Sequence, residues 1–165
     1  MNLPVDLLEQ AEYLAGRETR RPRQASLRRA VSAAYYAVFH LLIHEACGRL
    51  VAGSGLRNLT ACAFNHGDMK KACQVFLRTP LPVYLVPVVG SGVPADIQLI
   101  AEFFTRLQAA RHDADYSPDR RFTRSETRKL VQQARDAFAA WERVKRDPTA
   151  DAFLVGLLLG DRWNR

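Results

Sequence analysis

This sequence has few of the features that mark secreted or membrane-spanning proteins. Its cysteines are three in number, an odd count with no CxxC spacing. Residues 1–15 already carry three acidic side chains, which is unlike a secretory leader. We therefore expect a cytoplasmic protein whose three thiols, Cys47, Cys62 and Cys73, stay reduced.

Long hydrophobic runs and phosphate-binding loops are also missing. The apolar run at residues 152–159 is well under half of the roughly 20 residues that span a bilayer. It predicts a short C-terminal docking helix at about 149–160, and we expect no membrane partner. There is no glycine-rich phosphate loop, internal repeat or low-complexity tract. We predict no cofactor.

The composition favours one globular domain with a basic surface. A length of 165 residues, 48% of them hydrophobic, suits a single domain over 1–165 with its core at about 24–146. The net charge of +7 favours an anionic partner such as nucleic acid. The alternative is that this charge serves only solubility.

Apolar residues recur at helical spacing through most of the chain. The pattern predicts helices from Pro4 to Gly16, Gln24 to Leu50, Leu56 to Phe64, Asp68 to Arg78, Ala95 to about Arg111, and Thr123 to Lys145. Asp68 is the expected cap of the fourth helix, and Thr123 with Glu126 forms a capping box. Residues 79–94 contain four prolines and predict a packed loop rather than a strand. The fold class is all-α, an up-and-down helical bundle with additional short helices.

Two strings resemble the HEPN (higher eukaryotes and prokaryotes nucleotide-binding) family. Residues 27–40, LRRAVSAAYYAVFH, resemble its early helix with a tyrosine pair, and residues 111–116, RHDADY, resemble its later arginine signature. Between them lies His66, where relatives often place a histidine before a helix. The resemblance covers about residues 24–141.

The resemblance implies a HEPN-type bundle that forms a homodimer and binds RNA or nucleotides. Many members are metal-independent ribonucleases that use an arginine and a histidine four to six residues later. Arginine stabilises charge on a phosphate, and histidine transfers the proton. Members often pair with a nucleotidyltransferase in toxin–antitoxin or defence systems, so we expect such a partner here.

The ribonuclease pattern is incomplete in this chain. Arg111 and His112 begin the signature, but Tyr116 occupies the position of the expected histidine. Tyrosine is ordinarily a poor general base at neutral pH. We therefore predict a degenerate ribonuclease site, with Arg111 on phosphate. The predicted ligand-binding residues are Arg111, Tyr116, Tyr36, Asp115, Arg28 and His66.

Two further patterns leave alternatives open. Ser32, Tyr36 and His40 share one helix face with Arg28, either as a packed polar seam or as a binding wall opposite Arg111. His40, His44 and Cys47 have a spacing that could bind zinc, but such histidines are usually ordinary helix residues, and we predict no metal site.

The basic residues fall into two clusters near helix starts, which could bind phosphates or could be solvated faces. The first comprises Arg17, Arg20, Arg21, Arg23, Arg28 and Arg29, and the second Arg120, Arg121, Arg124, Arg128 and Lys129.

We therefore expect a HEPN-like RNA- or nucleotide-binding protein of a bacterial toxin–antitoxin or defence system. One alternative is an active metal-independent ribonuclease in which His112 or His66 replaces the missing histidine. The other is a non-enzymatic interaction module that associates through the C-terminal side chains Phe153, Leu154 and Leu157.

Overall fold

A computed structural model describes residues 2–18, 20–90 and 92–163, without the side chains of residues 161 and 163. Over these residues the chain forms eight α-helices, one short 3-10 helix and no strand, which confirms the all-α prediction. The helices are α1 (Leu3–Gly16), α2 (Gln24–Leu50), α3 (Ser54–Ala61), α4 (His66–Phe76), α5 (Val86–Val89), α6 (Ala95–Tyr116), α7 (Arg124–Val144), α8 (Pro148–Leu159) and the 3-10 helix η1 (Gly160–Trp163).

The ends of α1, α2, α7 and α8 lie within one residue of the predicted positions, whereas those of α3, α4 and α6 differ by more. The helix α2 has the predicted ends, because no proline or glycine interrupts it before Gly48. The helix α6 continues past the predicted end at Arg111 to Tyr116, so the whole RHDADY string is helical. Asp68 does not cap α4. Asn65 does, because its Oδ1 accepts from the backbone N–H of Asp68 at 2.8 Å.

The proline-rich stretch contains the short helix α5, where a loop was predicted. Leu85 and Val89 are buried, and α5 contacts α8. The described residues of this stretch, 79–90 and 92–94, form no strand, as predicted.

The C-terminal helix α8 is part of the core. Asp147 caps it by accepting from the Thr149 N–H at 2.8 Å, and Pro148 occupies its first position. Phe153, Leu154 and Leu157 are fully buried, so the prediction that they form an interaction surface is wrong. Phe153 meets Phe76 of α4 edge to face, with ring centroids 5.2 Å apart.

The chain divides into two compact units, each described by itself. Unit 1 comprises Met1–Leu41 and Arg106–Phe138, and unit 2 comprises Leu42–Thr105 and Ala139–Arg165. In unit 1, Leu27, Val31, Ala114 and Phe122 form a buried apolar cluster. In unit 2, α4 packs against α8 and η1. No helix in the described part of the chain is long and apolar enough to cross a membrane.

Candidate ligand-binding site around Arg111

Arg111 is the centre of a charged and aromatic cluster in unit 1. Its side chain is 14% exposed. Its Nη2 donates to the Tyr36 hydroxyl at 2.5 Å, and its Nε lies 2.8 Å from Asp115 Oδ2. The Nε–H has no aligned acceptor, so the contact with Asp115 is an ion pair rather than a directed hydrogen bond. Burial by itself would lower the pKa of Arg111, but the Tyr36 hydroxyl and Asp115 outweigh it and raise that pKa.

Three tyrosine rings surround the guanidinium of Arg111. Its Cζ lies 5.9 Å from the ring centroid of Tyr35, 5.2 Å from that of Tyr36 and 5.6 Å from that of Tyr116. These distances are within the range of a cation–π interaction. Tyr35 is fully buried, whereas Tyr116 is 64% exposed, so the cluster extends from the core to the surface.

Asp115 joins the cluster to the polar face of α2. The Ser32 hydroxyl donates to Asp115 Oδ1 at 2.6 Å. Ser32 and Tyr36, one turn apart on α2, therefore bind Asp115 and Arg111, one turn apart on α6. The polar face of α2 is thus hydrogen-bonded within the chain, as the packed-seam interpretation requires, and it also faces Arg111.

Arg28 holds the C-terminal end of α6. It donates from Nη1 to the Ala114 carbonyl at 2.8 Å and from Nη2 to the Ser117 carbonyl at 2.7 Å, with further contacts to the carbonyls of Pro118 and Arg120. Carbonyls at a helix end have no partner within the helix. Arg28 therefore caps the C-terminal end of α6. Its guanidinium, which was predicted to bind a ligand, is already bonded to these carbonyls, and the sequence did not indicate this role.

His112 and Tyr116 form an exposed aromatic pair at the same end of α6. Their ring centroids are 5.2 Å apart with planes inclined by 50°. Both side chains are exposed, and the Tyr116 ring also borders Arg111. The site therefore exposes two neighbouring aromatic rings beside the positively charged guanidinium of Arg111.

The other predicted histidine positions lie elsewhere or are partly enclosed. His66 is the first residue of α4 in unit 2, whereas every contact of Arg111 given above lies in unit 1. His40 stacks on Tyr36 at 6.2 Å, and burial lowers the pKa of His40. Among the residues that the structure describes, no three His, Cys, Asp or Glu side chains group as a metal site. All three cysteines are free.

The two basic clusters are only partly available to a ligand. Arg120 contacts Glu126 and lies over the Phe122 ring, and Arg124 contacts the Glu18 carbonyl. The members that are exposed are Arg17, Arg20, Arg21, Arg23, Arg29, Arg120, Arg121, Arg128 and Lys129, all in unit 1.

Sequence reasoning missed two parts of this site. Tyr35 belongs to the tyrosine pair of residues 27–40, and no role was predicted for it, yet its ring packs near Arg111. A depression of about 130 Å³ beside Ser32 and Tyr36 was also missed; it is lined in addition by Leu7, Leu14 and Arg29. The signal for it in the sequence was the helical spacing of Leu7 and Leu14 on α1.

Comparison of this chain with known protein families, with curated proteins and with solved structures finds no match.

Proposed function

We propose that unit 1 binds single-stranded RNA, with the His112–Tyr116 pair stacking on a base and the exposed arginines contacting phosphates. Single-stranded RNA is recognised largely by stacking of its unpaired bases on aromatic side chains. The exposed aromatic pair carries this proposal. The two rings have centroids 5.2 Å apart, and a base could stack on them. The guanidinium of Arg111 lies beside Tyr116, where it could contact the phosphate of the same nucleotide.

Electrostatics favour a polynucleotide over a single nucleotide. The exposed basic side chains come from both sequence clusters, including Arg21 and Arg29 before or on α2 and Arg121 and Arg128 before or on α7. A free nucleotide would occupy one phosphate position, whereas a strand can contact several. A mononucleotide remains the simpler ligand of the same chemistry, and the experiment below includes it.

Binding without cleavage is favoured by the state of Arg111 and by the identity of residue 116. Arg111 is already paired with Asp115 and Tyr36, so a phosphate would have to compete with them for its guanidinium. Tyr116 occupies the position of the histidine that the HEPN resemblance leads us to expect, so the usual general base of that family is absent from this position. The proposed site is therefore a degenerate ribonuclease site.

The biological system of the proposal rests on the resemblance to the HEPN family alone. On that basis the protein would act within a toxin–antitoxin or defence system, beside a nucleotidyltransferase, and the cysteine content favours the cytoplasm. The two motifs, residues 27–40 and 111–116, are the support for this setting.

The test is fluorescence anisotropy with a labelled single-stranded RNA oligonucleotide at low salt, with AMP as a competitor. We expect Tyr116→Ala to weaken binding by about 5- to 150-fold, because stacking contributes about 1–3 kcal/mol per base. Tyr13→Ala is the matched control, since Tyr13 is an equally exposed tyrosine of α1. Equal affinity of the two variants, or no binding by the wild type, would refute the proposal. Complete competition by AMP would favour the mononucleotide.

The same samples distinguish the binder from the ribonuclease. His112 is exposed and lies beside Tyr116, so it is the histidine that the ribonuclease alternative would use at this end of α6. We expect the oligonucleotide to remain intact in the presence of a chelator. Cleavage that disappears in a folded His112→Ala variant would show that the ribonuclease alternative is right.

A further inference from the structure

A groove in unit 1 lies between the C-terminal half of α1 and the helix α7. Its volume is about 360 Å³, at the lower end of the range for small-ligand sites. We call it the α1–α7 groove, and both helices line it, with Glu12, Ala15 and Gly16 of α1 and Arg128, Val131 and Arg135 of α7. The α7 residues are three and four positions apart, so they share one face of that helix.

The bottom of the α1–α7 groove is apolar, and the groove is open beside the end of α1. Ala15 and Val131 are both buried. A Cβ added at Gly16 would have no neighbour within 4 Å, so space is available at this position. The groove can therefore hold an uncharged flat group, such as a base or a ribose, against Ala15 and Val131.

Charge is unequal along the α1–α7 groove. Arg135 forms an ion pair with Glu12, so these two charges offset each other. Arg128 is seven residues earlier on α7, which is about 10 Å along the helix. It is exposed, and it has no ion pair or side-chain hydrogen bond with any residue that the structure describes. One end of the groove therefore carries an uncompensated positive charge, which suits a phosphate.

The end of the groove at Arg128 lies at the same end of unit 1 as Tyr116. Arg28, near the start of α2, holds the end of α6 that carries Tyr116. A short loop, residues 117–123, joins that end to the start of α7. Arg124, one turn before Arg128, contacts the Glu18 carbonyl just after α1. The ends of α1 and α6 therefore meet the starts of α2 and α7.

We propose that the α1–α7 groove binds a second nucleotide of the RNA strand whose first base stacks on Tyr116. Its phosphate contacts Arg128, and its base or ribose packs on Ala15 and Val131. The inference rests on the proposed function of unit 1. Arg121, exposed in the loop between the two positions, can contact a phosphate between these nucleotides. Because a strand held at two points gains the second contact intramolecularly, the ligand is a strand rather than a mononucleotide.

An acidic peptide is the other ligand that an arginine-lined groove could bind. Its carboxylates would need cations along the whole groove, but Arg135 is already neutralised by Glu12. A nucleotide combines one phosphate with a larger uncharged part. This distribution matches a groove with one uncompensated arginine and an apolar bottom, so the groove favours the nucleotide.

Filling the groove tests the proposal, with fluorescence anisotropy of a labelled single-stranded RNA of about 10 nucleotides at low salt as the readout. Gly16→Leu places a side chain in the groove and should weaken binding about 10-fold, because it displaces one nucleotide. Gly48→Leu is the matched control and should keep the wild-type affinity. Gly48 is also a helical glycine with open space at its Cβ, but it lies in unit 2.

A second pair of variants tests the charge in the groove. Arg128→Gln removes the proposed phosphate contact and should weaken binding more than Lys129→Gln. Lys129 is the next residue of α7, is equally exposed and is not among the residues that line the groove. Both variants lose one positive charge, so a difference between them reports the position of that charge. All four substitutions are at exposed residues, and far-ultraviolet circular dichroism checks that each variant is helical.

The outcomes separate the groove from the proposed function. Wild-type affinity in Gly16→Leu, or equal losses in Arg128→Gln and Lys129→Gln, would overturn the groove proposal, while weaker binding in Tyr116→Ala would leave RNA binding intact. A wild type that binds no RNA would refute both. A labelled poly-glutamate peptide that binds more tightly than RNA, and less tightly to Gly16→Leu, would assign the groove to an acidic peptide and overturn the proposal.

Discussion

Arg111 shows how a charged residue becomes part of a core without losing its charge. The arginine continues the apolar stripe of α6, where an isolated charge would be costly. The Tyr36 hydroxyl, the Asp115 carboxylate and three aromatic rings offset that cost. The cluster therefore has a structural function whatever it binds.

Tyr36→Phe isolates one of these contacts, since it removes only the hydroxyl that Arg111 donates to. We expect the free energy of unfolding to fall by about 1.5–3 kcal/mol, the usual contribution of a hydrogen bond to a charged group. Tyr13→Phe removes an exposed hydroxyl and should change it by less than about 0.5 kcal/mol. Urea denaturation measures both. Similar values for the two variants would mean that the Arg111–Tyr36 contact contributes little.

His40 should make the stability of the protein sensitive to acid. Burial lowers the pKa of His40 in the folded state below its unfolded value of about 6.5. The unfolded chain then binds more protons than the folded one. The contribution of neutral His40 to the free energy of unfolding is therefore complete above about pH 6.5 and is lost as the pH falls through the folded-state pKa. Unfolding from pH 7.5 to 5 should depend less steeply on pH in His40→Gln than in the wild type. A dependence as steep in His40→Gln as in the wild type would contradict this account.

The helices begin and end through local chemistry, but their final boundaries depend on residues far away in the chain. Asn65 caps α4, and Asp147 caps α8. The end of α6 is different, because its carbonyls are bound by Arg28 of α2, 86 residues away at Ala114. A helix that ends on a distant side chain has no complete local signal.

Two glycines predict substitutions of opposite sign. Gly160 has a φ of +61°, and a Cβ there would lie 3.1 Å from Cβ of Asp68. Gly160→Ala should therefore destabilise the protein by about 1–3 kcal/mol through backbone strain. Gly48 lies within α2 with no neighbour near an added Cβ, so Gly48→Ala should stabilise by about 0.5–1 kcal/mol. Thermal unfolding compares them, and a shift of the same sign in both would contradict this account.

Charge is unevenly distributed along the chain. The two basic clusters belong to unit 1, whereas residues 79–95, which contain no Asp, Glu, Lys, Arg or His, belong to unit 2. The two basic clusters that could contact an anionic polymer therefore lie in one unit.

The RNA proposal predicts a salt dependence that can be assigned to unit 1. Replacing Arg121 and Arg128 by Gln should make the slope of log affinity against log salt shallower by up to about 1.4, or about 0.7 for each lost phosphate contact. Replacing Arg78 and Arg146 by Gln removes the same charge from unit 2 and should leave most of the slope. Equal slopes in the two double variants would show that the charge acts without a defined site.

Periodicity and chain breakers were sufficient to predict the helical class and most helix positions, because helix formation depends on neighbours within a turn or two. The ends of α1 and α2 follow from Pro4, Gly16 and the uninterrupted stretch before Gly48. The partners of Arg111 and Arg28, the burial of α8 and the exposure of Val83 and Val88 were not predictable in this way. Tyr36 and Arg111 are 75 residues apart, and which apolar stripe faces inward depends on packing between helices. Local sequence preferences do not determine which helix faces pack together, so these contacts are seen only in the folded structure.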